Sequence, residues 1–373
     1  MLKLPAQVKV VEVGPRDGLQ SFSRWVDTDT KVAMIDCLSA AGLKVIEATS
    51  FARASVIPHL KDAELVLERI KRRPGTIYRA LVPNAKGAER AAESGLVDEV
   101  LGLITVSRTY LRHNQNMTLE HAIDEGVRAF DIASAKGIGF TMALGMSMWC
   151  PYEGPVPEAD ALDVLEKFWA GGLRRFYFAG SVGMEDPRHV HSLFSQAIAR
   201  HPDIELGYHA HNVPGFGMAN VLAALDAGAS FVEGSICGVG GGIAMPTNMG
   251  SVGNLPTEDI VHMLGAAGVD TGLDTAQMLE CSREVASLIG IEPMSYLARS
   301  GTREELLART CVRASVAGQM LVARPHPQNN PEETRVSKPA RPRPCGSMKG
   351  SSARISANCR PHSNLPSPKR KDA

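Results

Sequence analysis

His209 and His211 stand one residue apart at the end of a run, Glu205 to His211, that reads as a β-strand. Alternate strand residues point to the same side, so the two imidazoles can share one metal ion. Near the start of the chain lies a second chemical signal. Arg16 and Asp17, a cation beside a carboxylate, directly follow the strand-like run Val8 to Val13. Two imidazoles and a carboxylate in oxygen-rich company suit a divalent ion that activates an oxygenated substrate, which is an enzyme signature. The chain carries its own control: His189 and His191 share the spacing but fall within Pro187 to Arg200, a segment with helical patterning. There the two rings diverge by roughly 200° of helical rotation, so that pair reads as helix surface.

Groups this far apart in sequence can only cooperate in a fold that gathers strand ends. Short β-rich runs alternate with amphipathic helical stretches, and several helices stop at a glycine that leads into the next strand: Gly42, Gly95, Gly137, Gly172 and Gly228. Strands are predicted at Val8 to Val13, Val45 to Thr49, Ile77 to Leu81, Glu99 to Ile104, Gly139 to Leu144, Arg175 to Phe178, Glu205 to His211 and Phe231 to Ser235. Eight strand and helix units in roughly 260 residues predict an α/β fold, the closed (β/α)8 TIM barrel, with its chemistry at the carboxyl ends of the strands. A doubly wound sheet fits less well, because no glycine phosphate fingerprint joins the first strand to the first helix. Strands one, two, seven and eight are neighbours in such a ring. Arg16 and Asp17 after strand one, Glu47 on strand two, His209 and His211 on strand seven and the stretch Gly238 to Asn254 after strand eight should therefore converge. The expected organisation is a catalytic barrel over residues 1–300, a helical extension over 301–323 and a tail over 324–373.

Composition bounds the function classes. With 373 residues and 44% hydrophobic content, the chain can bury a large core. The zero net charge conceals an asymmetry: residues 324–373 hold eleven Lys or Arg against three Asp or Glu, together with nine prolines. A segment so poor in large apolar residues cannot offset the entropy of ordering, so a disordered basic tail is expected. It lacks the aromatic interleaving or motif of a nucleic-acid binder, and no apolar run is long enough to cross a bilayer, so neither nucleic acid nor membrane is an expected partner. Seven scattered cysteines without a Cys-x-x-Cys suit a reducing compartment. With a first strand that begins almost at once, leaving no room for a signal or transit segment, they point to the cytoplasm. A homo-oligomer is expected.

The motifs Glu12-Val-Gly-Pro-Arg-Asp-Gly-Leu-Gln20, Ile46-Glu-Ala-Thr-Ser-Phe51, Asn114-Gln-Asn116, Cys150-Pro-Tyr-Glu-Gly154, His209-Ala-His211-Asn212 and Gly253-Asn-Leu-Pro-Thr-Glu-Asp259, in this order, resemble those of the hydroxymethylglutaryl-CoA lyase family of metal-dependent lyase and aldolase barrels. The resemblance runs from about Val8 to Leu273. It implies a (β/α)8 barrel, Mg2+ or Mn2+ held by Asp17, His209, His211 and Asn254, and an acyl-CoA substrate. Cleavage of a 3-hydroxy-3-methylglutaryl thioester needs a base for the tertiary hydroxyl and an electrophile for the departing enolate. Arg16 suits the enolate oxygen, while Glu47 can hold Arg16 or accept a proton; these two are the expected catalytic residues.

Two departures bear on substrate choice and proton route. The family's cysteine in the strand-eight loop is missing from Gly238-Val-Gly-Gly-Gly242-Ile-Ala-Met, and its strand-six Gly-Asp-Thr is replaced by Ala179-Gly180-Ser181-Val182-Gly183. Another 3-hydroxy-3-alkylglutaryl-CoA, a 2-oxo acid handled by aldol or Claisen chemistry, or a non-catalytic barrel remain as alternatives. Gly238 to Gly242 lacks the Lys-Ser/Thr ending of a P-loop and reads as a lid over the metal. Cys237 and Cys150 are expected to pack, and His59 and His113 to lie in loops on the catalytic face.

Overall fold

Alternation along eight strands decides the architecture. In the computed structural model, which describes residues 2–241 and 253–308, β1 (Lys9–Glu12), β2 (Val45–Ser50), β3 (Ile77–Val82), β4 (Glu99–Thr105), β5 (Gly139–Gly145), β6 (Arg175–Gly180), β7 (Glu205–Ala210) and β8 (Phe231–Gly234) pair in parallel and close into a barrel in sequence order. Val11, Val45, Leu81, Leu101, Ala143, Tyr177 and Phe231 form a cluster inside it. Their strand neighbours Val10, Ile46, Tyr78, Val100, Met142, Phe176, Tyr208 and Val232 join the larger core shared with the helices. Period-two patterning buried on both faces is what a parallel barrel requires.

The helices α1 (Thr28–Ala40), α2 (Ala63–Arg69), α3 (Ala85–Ser94), α4 (Leu119–Ala135), α5 (Glu158–Ala170), α6 (Pro187–Arg200), α7 (Gly217–Asp226) and α8 (Thr257–Ala266) each follow the strand of the same number. Side-chain oxygens of Asp27, Asn84, Thr118 and Asp186 cap α1, α3, α4 and α6. The glycines read as helix stops all take a positive φ, from 65° at Gly95 to 106° at Gly228. Beyond the barrel, α9 (Thr275–Ile289) packs on α1 and α8, α10 (Tyr296–Ser300) follows, and residues 303–308 are helical. The predicted tail, most of the predicted 301–323 extension, and residues 242–252, which include Gly242 of the predicted lid, lie outside the described residues.

Every predicted strand is present, with ends displaced by two residues at most. One displacement matters chemically: β7 ends at Ala210, and His211 instead pairs antiparallel with Asn254 in an isolated bridge. The barrel interior is tight here. A Cβ on Gly207 would sit 2.1 Å from the Phe231 ring, so glycine at that position is what lets phenylalanine fill the floor beneath His209.

Candidate active site

At the end of β1 the chain leaves the sheet in one wide helical turn, Gly14–Gly18. The Val13 carbonyl accepts from the backbone N–H of Arg16, Asp17 and Gly18 at 3.1, 2.7 and 3.3 Å. This turn fixes Arg16 and Asp17 beside the end of β2. Arg16 donates from Nε to Glu47 Oε1, and from Nη1 to Asp17 Oδ1 at 2.8 Å and Gln20 Oε1 at 3.4 Å. Gln20 Nε2 returns a 2.8 Å bond to Asp17 Oδ1. Arg16, Asp17 and Glu47 are all buried.

From the opposite side come the two histidines, His209 on β7 and His211 just past its end. Ligating atoms of Asp17, His209 and His211 lie within 4.8 Å of one another, and the two Nε2 atoms are 3.0 Å apart. His209 Nδ1 lies 3.1 Å from Glu233 Oε2 of β8. Asn254 completes the ring from the segment that returns along the end of β7: its Nδ2 donates to Asp17 Oδ2 at 2.7 Å and to the Val239 carbonyl at 3.2 Å. Its Oδ1 is buried with no hydrogen-bond partner among the described residues. A Cβ on Gly240 would meet Gly18 Cα at 2.6 Å and Asn254 Nδ2 at 2.9 Å, so the segment after β8 lies directly on the Arg16–Asp17 turn.

Electrostatics follow from burial and pairing. Burial opposes the charge on Asp17, but Arg16 and the two imidazoles outweigh it and hold the carboxyl down at about 2. Burial likewise disfavours the Arg16 guanidinium, yet Glu47 and Asp17 together raise its pKa, so it stays charged. Glu47 moves the other way, because burial outweighs Arg16 and raises it, and its Oε2 has no partner among the described residues. Two imidazole nitrogens, an ionised carboxylate and an orphaned amide oxygen make a donor set that fits Mg2+ or Mn2+.

The other expected residues are sorted by the same geometry. His189 and His191 lie on α6, away from this cluster, and His191 meets Asp226 at 3.3 Å. Cys237 Sγ donates to the Ser282 carbonyl on α9 at 3.1 Å, so it packs rather than facing the turn. Cys150 is buried under Ser107 Oγ at 3.0 Å. His113 follows β4 and stacks on Tyr152 with ring centroids 5.0 Å apart, while His59 follows β2 and accepts Lys31 Nζ on its carbonyl. Ser181 accepts from the Met146 N–H at 3.0 Å, and the buried Glu185 after β6 accepts from the Tyr208 hydroxyl at 2.6 Å.

Sequence reasoning gave no role to Gln20, Glu233 or Arg79. A charged residue in the middle of an otherwise apolar strand, as in Ile77-Tyr-Arg79-Ala-Leu and Phe231-Val-Glu233-Gly, is the signal that marks the last two.

Comparisons with known proteins agree with this geometry. The HMGL-like family profile matches residues 7–285. A mitochondrial hydroxymethylglutaryl-CoA lyase of Mus musculus is 36% identical over 80% of this chain and 90% of its own. A cytoplasmic 3-hydroxy-3-methylglutaryl-CoA lyase of Danio rerio is 34% identical over 80% of this chain and 88% of its own. An HMG-CoA lyase from Acinetobacter baumannii, solved with coenzyme A and 3-methylmalate, superposes with a TM-score of 0.75 at 33% identity, covering 80% of this chain and 96% of that one. With the barrel, the turn after β1 and the histidines of β7 in place, the chain belongs to the HMGL-like family of lyases.

Proposed function

We propose that the chain is a divalent-metal-dependent carbon–carbon lyase that cleaves 3-hydroxy-3-methylglutaryl-CoA to acetyl-CoA and acetoacetate. The observation that carries this is the junction of two half-sites: Arg16, clamped between Glu47 and Asp17, adjoins the cluster of Asp17, His209 and His211. A bound Mg2+ or Mn2+, held by Asp17, His209, His211 and Asn254, supplies the electrophile that acidifies the tertiary hydroxyl.

The chain's own residues do the rest. Glu47 Oε2, buried and unpartnered, is the acceptor for the hydroxyl proton. As the carbon–carbon bond breaks, its electron pair moves onto the thioester as an enolate, and the hydroxyl carbon becomes the ketone of acetoacetate. Among the described residues Arg16 makes no hydrogen bond through Nη2, which leaves those N–H groups for the enolate oxygen. A fixed donor of this kind contributes about 3 kcal/mol of barrier lowering. The proton removed from oxygen balances the one the enolate carbon takes up, so no net acid or base is consumed.

The test is a coupled assay for acetyl-CoA and acetoacetate from hydroxymethylglutaryl-CoA, with and without added Mn2+. Both products in equal amounts, lost on chelation, are expected. Silence on this substrate, with turnover of a larger 3-hydroxy-3-alkylglutaryl-CoA, would move the assignment to the second reading. We place the enzyme in the cytosol as a homo-oligomer; the four cysteines among the described residues are free thiols, and one relative carries a cytoplasmic name.

A further inference from the structure

The barrel interior below the site holds a line of alternating charge that the proposed chemistry does not use. Glu233 Oε1 accepts from Arg79 Nη1 at 2.8 Å, and Arg79 Nε donates to Glu99 Oε1 at 2.6 Å. Thr141 Oγ1 adds a 3.0 Å bond to Glu99 Oε1, and Arg175 pairs with Glu99 Oε2. Arg175 Nε reaches Glu205 Oε2 at 2.6 Å, and Lys9 Nζ reaches Glu205 Oε1 at 2.9 Å. The line therefore starts at the half-exposed opposite end of the barrel, passes through the buried Glu99, Arg79 and Glu233, and ends on His209 Nδ1.

Such a line is a poor way to stabilise a barrel. Removing two charges from water costs as much as their attraction returns, and apolar residues of similar volume do as well or better. What it does supply is direction. A guanidinium has no acceptor, so Arg79 fixes Glu233 as an acceptor on Oε1, and the same carboxylate presents Oε2 to the imidazole. An acceptor opposite Nδ1 requires the N–H on that nitrogen. The Nε2 lone pair is then left facing His211 Nε2 and Asp17.

We propose that Glu233, oriented by Arg79, is a positioning residue that locks His209 in the Nδ1–H tautomer and so keeps Nε2 available as a metal ligand. The assignment rests on the metal site proposed above. Carboxylates that orient metal-bound imidazoles carry a 10- to 100-fold share of metal affinity, and that sets the scale here.

Glu233→Gln tests it sharply. Arg79 demands the amide oxygen, so the amide NH2 turns to His209 Nδ1, favours the Nε2–H tautomer and blocks the ligand position. Mn2+ binding to the purified full-length protein, read without substrate from the EPR signal of free Mn2+, should weaken about 10- to 100-fold. Glu99→Gln breaks the same line one step further from the site. It should lower the melting temperature while keeping the Mn2+ dissociation constant within about threefold. Side-chain 15N NMR of the metal-free wild type should show His209 as the Nδ1–H form, a readout that stands even if Glu233→Gln fails to fold. Unchanged Mn2+ affinity in Glu233→Gln, an equal loss in Glu99→Gln, or an Nε2–H ring in the wild type overturns the role of Glu233. Absence of Mn2+ binding to the wild type overturns the metal site itself, and this inference with it.

Discussion

Replacing Arg16 by lysine separates transition-state stabilisation from substrate anchoring. Arg16 uses Nε on Glu47 and Nη1 on Asp17 and Gln20, and among the described residues only Nη2 is left over. A lysine ammonium is one point charge on a flexible stem; it can satisfy Glu47 or Asp17, but it cannot do so while aiming a fixed donor at a third place. The loss is thus one oriented hydrogen bond to charge that develops during cleavage, worth about 2.7 to 4 kcal/mol, or roughly 100- to 1000-fold in kcat. Retained positive charge should hold the substrate dissociation constant within a small factor. Asp17 keeps its bond from Gln20 at 2.8 Å, so Mn2+ affinity should change little. The assay is steady-state turnover at saturating Mn2+, with direct substrate binding measured alongside, so that KM is not mistaken for affinity. Weakened binding with kcat intact would refute the reasoning and make Arg16 a clamp on the substrate ground state.

Three further outcomes are expected. Exhaustive chelation should abolish turnover and Mn2+ should restore it; His209→Ala or His211→Ala should remove that rescue, whereas His189→Ala and His191→Ala should leave turnover near the wild-type rate. Glu258 is a buried carboxyl raised from 4.5 to about 7, mainly by burial, although Ser282 Oγ and the Cys237 N–H bond to it. Between those pH values the unfolded chain has already released a proton that the folded chain keeps, so stability falls as pH rises through this window and levels above it, by at most about 3 kcal/mol. Glu258→Gln should flatten that part of the melting-temperature profile, and an unchanged slope would show that the carboxyl is ionised throughout. Truncation after Ala323 should leave both melting temperature and turnover unaltered; a loss of several degrees would show that the basic tail docks on the barrel.

The barrel was legible because its strands are short, apolar and punctuated by glycine, and because a helix and a strand impose different periods on the same His-x-His spacing. Arg16, Asp17, Glu47, His209 and His211 could be brought together from ring order alone. Asn254 was named by the resemblance and not by ring order; its place beside His211, in a bridge formed after the chain leaves β8, shows how the amide borders the carboxylate. Glu233 and Arg79 were visible as misplaced charges but not as partners, since contacts across a barrel depend on which strands face each other through the interior, and sequence spacing does not report this. Cys237 was legible as a packing residue because it precedes the loop; its backbone, at φ 61°, turns the thiol towards α9.

Charge balance ties these layers together. At the mouth, Asp17 and Glu47 face the Arg16 guanidinium, with the two imidazoles beside them. Below them Glu233 and Glu99 share Arg79, with Arg175 reaching Glu99 from the half-exposed end. Neutral imidazoles leave the mouth with net negative charge in a buried place, a costly arrangement unless a cation joins it. One protonated imidazole would neutralise the mouth but consume a lone pair that a metal needs. The Glu233 contact to His209 Nδ1 holds one N–H at the nitrogen facing away from Asp17, so Nε2 is the atom a cation would meet, in place of any proton there. The buried line of charge therefore leaves His209 Nε2 facing Asp17, in a mouth whose carboxylates call for a cation, next to the Arg16 guanidinium whose Nη2 makes no hydrogen bond among the described residues.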